Sequence, residues 1–208
     1  MSMNKLDDQW WLAIDGATNL SGKFVSTTIE FNLACDHIVE LIEDASVMLE
    51  RGSHSTATFL AITALEETAK VHVGMYRSAG QPIPRGKDPM YKHGKKHLLA
   101  LGPTVAMGSR LQSAIGETRM NQLIQQAREG LFVRLREESL YLERKDDIFV
   151  TPKSIISKLQ AREILLLTIE AFDDALVGYT DHTYACSKRT DGIFAMWANW
   201  LEEEHRGR

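Results

Sequence analysis

The chain has 208 residues, of which 44% are hydrophobic and only five are proline, so it can build one large core and lacks a disordered signature. Its formal net charge of -4 excludes bulk attraction to nucleic acid, so contact with RNA or DNA would need a local basic patch. The acidic start and the absence of an apolar run near the roughly 20 residues of a membrane span predict a cytoplasmic protein without a membrane partner.

Residues 1–31 are predicted to form an N-terminal arm, and residues 32–208 a single domain. Residues 23–31 are expected to be extended, because β-branched and aromatic residues are frequent there. Trp10 and Trp11 are expected to lie against the core, with binding of a partner as the alternative.

Two helices follow the arm. Apolar residues at steps of three and four from Ala34 to Leu49 predict an amphipathic helix. Gly52 is expected to cap its C-terminus, and Ser53 or Ser55 the N-terminus of the next helix. The connection is so short that the two helices must be antiparallel.

The second helix, 53–79, is apolar nearly all round, which predicts a central position in a bundle. A narrow polar seam contains Glu67 and Lys70, with Glu66 beside it. These charges cost free energy unless they are paired or used, so we expect basic groups from distant segments to meet them. Residues 80–90 contain three prolines and are predicted to form a loop.

A basic block comes next. Lys92 and Lys96 are one helical turn apart, as are His93 and His97, with Lys95 nearby. The block is a candidate anion site, or alternatively a solvated basic turn. Two histidines at this spacing can also bind zinc, but no third ligand is obvious, so no metal or other cofactor is predicted.

The remaining chain is helical in pattern. Gly102 and Pro103 predict a turn and a short helix, and residues 117–143 a third long helix with Gly130 as its weak point. A fourth is predicted from Thr151 and Pro152 to about Gly178, and a last helix capped by Asp191. The predicted fold is therefore an all-α bundle of about four long helices with shorter additions.

Several common enzyme classes are excluded by their missing motifs. The sequence has no Gly-rich phosphate loop, no GxSxG, no HExxH and no CxxC pair. Cys35 and Cys186 are far apart and show no metal-type spacing, which indicates free thiols in a reducing compartment.

Two groups of polar residues can carry chemistry. Glu66 and Glu67 can each pair with Lys70 within the helix, either as a partly buried ion pair or as carboxylates that orient a base. Arg136 lies five positions before Tyr141, and its guanidinium suits phosphate binding. The alternative for Arg136 is an ion pair with Glu66 or Glu67 across the bundle.

Three blocks, residues 45–70, 91–101 and 135–143, resemble the AbiV-type abortive infection family in order and spacing. The first resembles its Ala-x-Glu-Glu-x-x-Lys signature, the second its His/Lys-rich block and the third its Arg-x-x-x-Leu-Tyr block. The resemblance implies an all-α bundle of the HEPN superfamily, a bacterial phage-defence role linked to translation shut-off, and a homodimer. The family positions fall on Glu66, Glu67, Lys70, His93, Lys96, Arg136 and Tyr141.

The chain departs from this resemblance in one respect. HEPN ribonucleases have an Arg that is followed, after about four to six intervening residues, by a His, and the nearest equivalent here is Arg136 with Tyr141. A tyrosine of pKa about 10 is a poor base at neutral pH, so His93 or His97 would carry the proton. Gly94 replaces the first Lys after the His of the basic block.

Two hypotheses follow for function. In the first, the chain cleaves RNA without a metal: Arg136 and Lys96 hold the phosphate, His93 or His97 moves protons, Glu66 or Glu67 orients them, and Lys92 and Lys95 contact RNA. In the second, the chain is a non-catalytic module in which the carboxylates and Arg136 form a structural ion network. It would then bind a phage or translation-machinery protein.

Overall fold

A computed structural model describes residues 24–76, 88, 91–101 and 109–206, and these form an all-α bundle with one small hairpin. The expectations for Trp10, Trp11, Gly102 and Pro103 lie outside the described residues. The helices are α1 (Thr28–Glu50), α2 (His54–Tyr76), α3 (His93–Ala100), α4 (Ser109–Ile115), α5 (Glu117–Arg128), α6 (Leu131–Glu138), α7 (Pro152–Ile155), α8 (Lys158–Leu176) and α9 (Asp181–Arg206). The strands are β1 (Glu143–Lys145) and β2 (Ile148–Val150).

The α1–α2 hairpin has the predicted form. Gly52, at φ +76°, ends α1, and its N–H donates to the carbonyl of Leu49. The N–H of Ser53 donates to Met48 O at 2.8 Å, which completes the two-bond cap typical of a left-handed glycine. The N-terminal end of α1 differs from prediction: Thr27 caps a helix that begins at Thr28, so residues 28–31 are helical rather than extended.

Helix α2 is the centre of the bundle, as its sequence predicts. It packs against α1, α3, α6, α7 and α8. Small residues make the approach to α8 close: Ala57, Ala61 and Ala64 are fully buried. The hydroxyl of Thr168 on α8 donates to the carbonyl of Ala61 at 3.1 Å, which fixes the register of the two helices. A polar residue on α2 therefore faces protein on most sides.

The predicted helix 117–143 is wrong in its length. Gly130 adopts φ +82° and ends α5, so the predicted weak point is a break. Helix α6 then stops at Glu138, and a hairpin that the sequence did not predict follows, with Glu143 paired to Val150. Asp146 and Asp147 both have positive φ at its turn, a conformation that Asp tolerates and that matches the twist of a two-residue hairpin.

Two further helix boundaries differ from prediction. Thr151 does begin a helix, but α7 lasts one turn, and Ser157 caps α8 by accepting from the N–H of Gln160 at 3.1 Å. The last helix begins at Asp181 and not at Asp191, which lies inside α9. Its first half is polar on the surface, and its buried residues there, Thr183, Cys186 and Thr190, are too small or polar to give a clear apolar stripe.

Asp191 belongs to an ion cluster that joins three helices. The guanidinium of Arg110 on α4 donates to Glu170 at 2.7 Å and to Asp173 at 2.5 Å, both on α8, and to Asp191 at 2.5 Å on α9. Three carboxylates share one cation. Burial raises the pKa of Asp173 to about 6, an effect that Arg110 opposes and that the charges of Asp191 and Glu170 increase.

The pKa of Asp173 predicts a pH-dependent effect of its replacement. Its value in an unfolded chain is about 3.9, so the folded protein binds the proton more tightly and gains stability as the pH falls from about 7 to 4. We expect Asp173→Asn, which cannot titrate, to lose that gain. Urea unfolding at pH 7.5 and 4.5 should show the parent improving relative to the variant by up to about 2 kcal/mol; a pH-independent difference would contradict this.

Within the described residues, no helix combines the length and apolar character that crossing a bilayer requires.

Candidate functional site

The candidate site is built around the carboxylate of Glu66, which points from α2 towards α3 and α6. Glu66 is only 2% exposed. Helix α3 lies across α2 and also contacts α6, where Gly94 passes so near Val133 that an added Cβ would lie 3.6 Å from its methyl carbon. Three helices that are distant in sequence thus surround one carboxylate.

Helix α3 supplies three basic groups to Glu66 from one face. His93 Nδ1 lies 2.7 Å from Oε2 and 2.8 Å from Oε1, and Lys96 Nζ donates to Oε2 at 2.5 Å. His97 Nε2 lies 3.0 Å from Oε1. Lys96 and His97 follow His93 by three and four residues, which places the three side chains on the side of α3 that faces α2.

Helix α6 supplies a fourth basic group. Arg136 Nε lies 3.7 Å from Glu66 Oε1, an ion-pair distance that is too long for a hydrogen bond. This Nε is buried and has no hydrogen-bond partner among the described residues. The guanidinium lies over the ring of Phe59, 5.1 Å from its centroid, and the side chain is about a quarter exposed. Arg136 is therefore held at the site's edge with donors left for another acceptor.

The basic groups keep Glu66 ionised. Burial alone raises its pKa, but the hydrogen bonds from His97 and Lys96 and the charge of Lys96 outweigh burial and lower the pKa to about 2. Burial also lowers the pKa of His97 below its usual value, although Glu66 opposes this. At neutral pH the cluster thus holds a carboxylate, the Lys96 ammonium and a neutral His97.

Hydrogen-bond chemistry assigns the tautomers of both imidazoles. An ionised carboxylate only accepts, so His93 carries its hydrogen on Nδ1 and His97 on Nε2. In the neutral form of His93, the other nitrogen, Nε2, has a free lone pair on a side chain that is 42% exposed. His97 is fully enclosed, packs edge-on against Phe132 with centroids 5.7 Å apart, and its Nδ1 has no partner among the described residues.

The structure therefore joins four of the predicted residues to Glu66 and leaves the others apart. Glu67 pairs with Lys70 at 2.5 Å within α2 and not with the basic block. Lys92 precedes α3, and both it and Lys95 are exposed. None of the contacts found for the described residues joins Tyr141 to the cluster.

The contacts of the described residues do not join Tyr141 to Arg136, which precedes it by five positions. Tyr141 follows the end of α6, is 66% exposed, and lines a separate shallow pocket with Arg134 and Glu137. Helix α6 turns Arg136 inwards and Arg134 outwards, because the two positions are about 200° apart around the helix. Phe59 and Phe132, which wall the site, were readable in the sequence only as core residues.

The fold and the cluster define an all-α bundle protein, in which a Glu-bearing central helix meets a His/Lys helix and an Arg-bearing helix. The family model HEPN_AbiV, described as AbiV, matches residues 31–170, more than half of the chain. The chain belongs to the AbiV family, and its kind of role is abortive infection, a form of antiphage defence. Searches of curated proteins and of solved structures found no match.

Proposed function

We propose that the chain acts in abortive infection as a metal-independent endoribonuclease, with His93 as the proton carrier and Arg136 as the phosphate ligand. The observation that supports this most is the pairing of an exposed, carboxylate-oriented imidazole with an arginine beside it. Glu66 accepts the hydrogen of His93 Nδ1, and so leaves Nε2, on a side chain that is 42% exposed, to act as the base.

The roles of the other basic groups follow from their exposure. His97 is completely buried and Lys96 is 6% exposed, so neither can reach a nucleotide, and we assign them to holding Glu66. His93 is therefore the better proton carrier of the two predicted histidines. Lys92 and Lys95 are exposed near the N-terminal end of α3 and can neutralise RNA phosphates next to the site.

The chemistry requires positioning and proton transfer only. Nε2 of His93 takes the proton of a ribose 2′-hydroxyl, whose oxygen attacks the adjacent phosphorus. The bond to the 5′-oxygen breaks, and that oxygen takes up a proton, which leaves a 2′,3′-cyclic phosphate and a 5′-hydroxyl. Arg136 stabilises the charge that develops on the phosphate oxygens through bidentate hydrogen bonds.

We test this with RNA extracted from phage-challenged cells that express the chain, and with purified protein on total RNA in EDTA. Wild-type protein should give cuts with cyclic-phosphate ends. His93→Ala and Arg136→Ala should each lower the cutting rate by about 100-fold or more. Arg134→Ala is the matched control, because it removes an arginine from the same helix that is 67% exposed and faces away from Glu66.

Two results would contradict the proposal. One is intact RNA in challenged cells that the chain nevertheless protects. The other is cutting by His93→Ala at the wild-type rate. Melting temperatures of all variants should be measured alongside, so that loss of fold is not taken for loss of chemistry.

A second candidate function is a non-catalytic module that binds a phage or translation-machinery protein. It is favoured by the saturation of Glu66: four basic groups surround one carboxylate, more than orienting a single imidazole requires. Under this function His93→Ala keeps cell protection and leaves stability nearly unchanged. Loss of protection at unchanged melting temperature would favour catalysis.

The remaining predictions about partners and place are not tested by the structure. RNA binding, homodimer formation and a cytoplasmic location stay predictions. The division into an arm (1–31) and a single domain (32–208) also stays a prediction.

A further inference from the structure

A second cluster of reactive side chains lies where α1 meets α9. Asp36 on α1 faces His182 and Cys186 on α9. His182 and Cys186 are four residues apart, so one turn of α9 places both side chains on one face. A carboxylate, an imidazole and a thiol are the three ligand types that zinc accepts in proteins.

The distances within this cluster are close to those of a metal's coordination shell. Asp36 Oδ1 lies 2.7 Å from His182 Nε2 and 3.8 Å from Cys186 Sγ, and the three ligand atoms all lie within 4.8 Å of one another. Zinc bonds of about 2.0 Å to N and O and 2.3 Å to S, at tetrahedral angles, separate ligand atoms by about 3.3–3.5 Å. Shifts of about an ångström at the side-chain ends would reach that arrangement.

We propose that Asp36, His182 and Cys186 form a zinc site that clamps α9 to α1. On binding, the Cys186 thiol gives its proton to solvent and a sulfur–zinc bond forms, while His182 stays neutral and Asp36 ionised. The carboxylate and the thiolate together neutralise the ion. Zinc stays divalent throughout, so the site requires no oxidant or reductant.

The surroundings suit a site with one open position. Cys186 is 1% exposed, whereas Asp36 and His182 are each about one-third exposed, so the cluster has a buried sulfur end and an open oxygen–nitrogen end. Three protein ligands leave a fourth position for water at the open end. Arg189 comes within 4.0 Å of Asp36, but its charge is met by Glu43 at 2.7 and 2.8 Å.

This site is independent of the Glu66 cluster and does not rest on the proposed ribonuclease activity. Sequence spacing could not predict it, because Asp36 lies 146 residues before His182. Without a metal, Asp36 would only form hydrogen bonds with His182 and Cys186 between two helices, and that alternative is one outcome of the test.

The test is a titration of the full chain, purified with chelator and reductant, first with Co²⁺ and then with Zn²⁺. We expect one equivalent of Co²⁺ to give a thiolate-to-cobalt absorption band that Zn²⁺ displaces, and we expect Zn²⁺ to raise the melting temperature. Cys186→Ser and His182→Ala should abolish the band and the thermal shift. Cys35→Ala is the matched control, because Cys35 is a buried free thiol on α1 that is outside the cluster.

Three results would overturn the site. They are no stoichiometric band with the wild-type chain, a band that survives Cys186→Ser, and an equal thermal shift in wild type and Cys186→Ser, which would indicate adventitious surface binding. A band that is lost in Cys35→Ala and kept in Cys186→Ser would show that the thiolate ligand is Cys35, and it would contradict the proposed site. If His182→Ala fails to fold by circular dichroism, the conservative Cys186→Ser variant still decides the question.

Discussion

Glu66→Ala should lower the free energy of unfolding by about 3–5 kcal/mol, because it leaves Lys96 as a buried charge without its partner. The Lys96 side chain is 7% exposed and donates its 2.5 Å bond to Glu66 Oε2. The contacts of Glu66 with His97 and Lys96 also lower its pKa to about 2, so the stabilisation depends on pH. Its stabilisation is complete above the unfolded value of about 4.3 and is lost as the pH falls towards 2. Urea unfolding at pH 7 measures the loss.

Glu67→Ala is the control, since it removes a neighbouring carboxylate of the same helix. Glu67 pairs only with Lys70 in the contacts found, and both are about one-fifth exposed, so the expected cost is about 0–1 kcal/mol. Equal losses from the two variants would contradict the central place of Glu66. In the double variant Glu66→Leu/Lys96→Met, which removes both buried charges, most of the stability should return.

The difference between Glu66 and Glu67 could not be predicted from the sequence. An apolar helix that carries acidic residues predicts that basic groups from distant segments contact those residues. Lys96 on α3 and Arg136 on α6 do contact Glu66. Which of Glu66 and Glu67 they meet depends on a rotation of about 100° between adjacent helical positions. That choice is set by where α3 docks against α2, and the composition of the Pro-rich segment 80–90 contains no information on docking.

Some helix boundaries could likewise be predicted from the sequence, and others could not. The Gly52 cap was predictable because the backbone conformation that favours glycine there is local. The hairpin after α6 was missed because the segment 135–143 has a helical pattern, and the turn at Asp146 and Asp147 lacks the usual glycine. The early start of α9 was missed because Thr183 and Cys186, its first buried residues, do not form an apolar stripe.

Arg162→Ala is the second substitution with a large expected effect, a loss of about 3–5 kcal/mol. Arg162 is 1% exposed and is among the largest fully buried side chains of the described residues. Its Nε donates to the carbonyl of Trp197 at 2.5 Å, and one Nη donates to Ala198 at 2.9 Å and Ala114 at 3.2 Å. One side chain of α8 therefore holds α9 and the C-terminal end of α4.

The hydrogen bond from Arg162 to the carbonyl of Ala114 adds a polar contribution to the packing of this side chain. This carbonyl lies in the last turn of α4, where carbonyls have no intrahelical donor, so the guanidinium gives a hydrogen bond to a partly buried group that the helix leaves without one. Burial lowers the pKa of Arg162, but an arginine remains protonated at neutral pH and keeps all its donors. Removing it costs the hydrogen bonds and leaves a cavity.

Two further variants separate these causes. Arg162→Met restores most of the volume without any donor, so it should recover only the cavity part of the loss. Arg134→Ala, an exposed arginine on α6, should cost at most about 1 kcal/mol. If unfolding curves show wild-type stability for Arg162→Met, the hydrogen bonds to the carbonyls contribute nothing to stability. Packing alone would then explain how Arg162 holds α4 and α9 against α8.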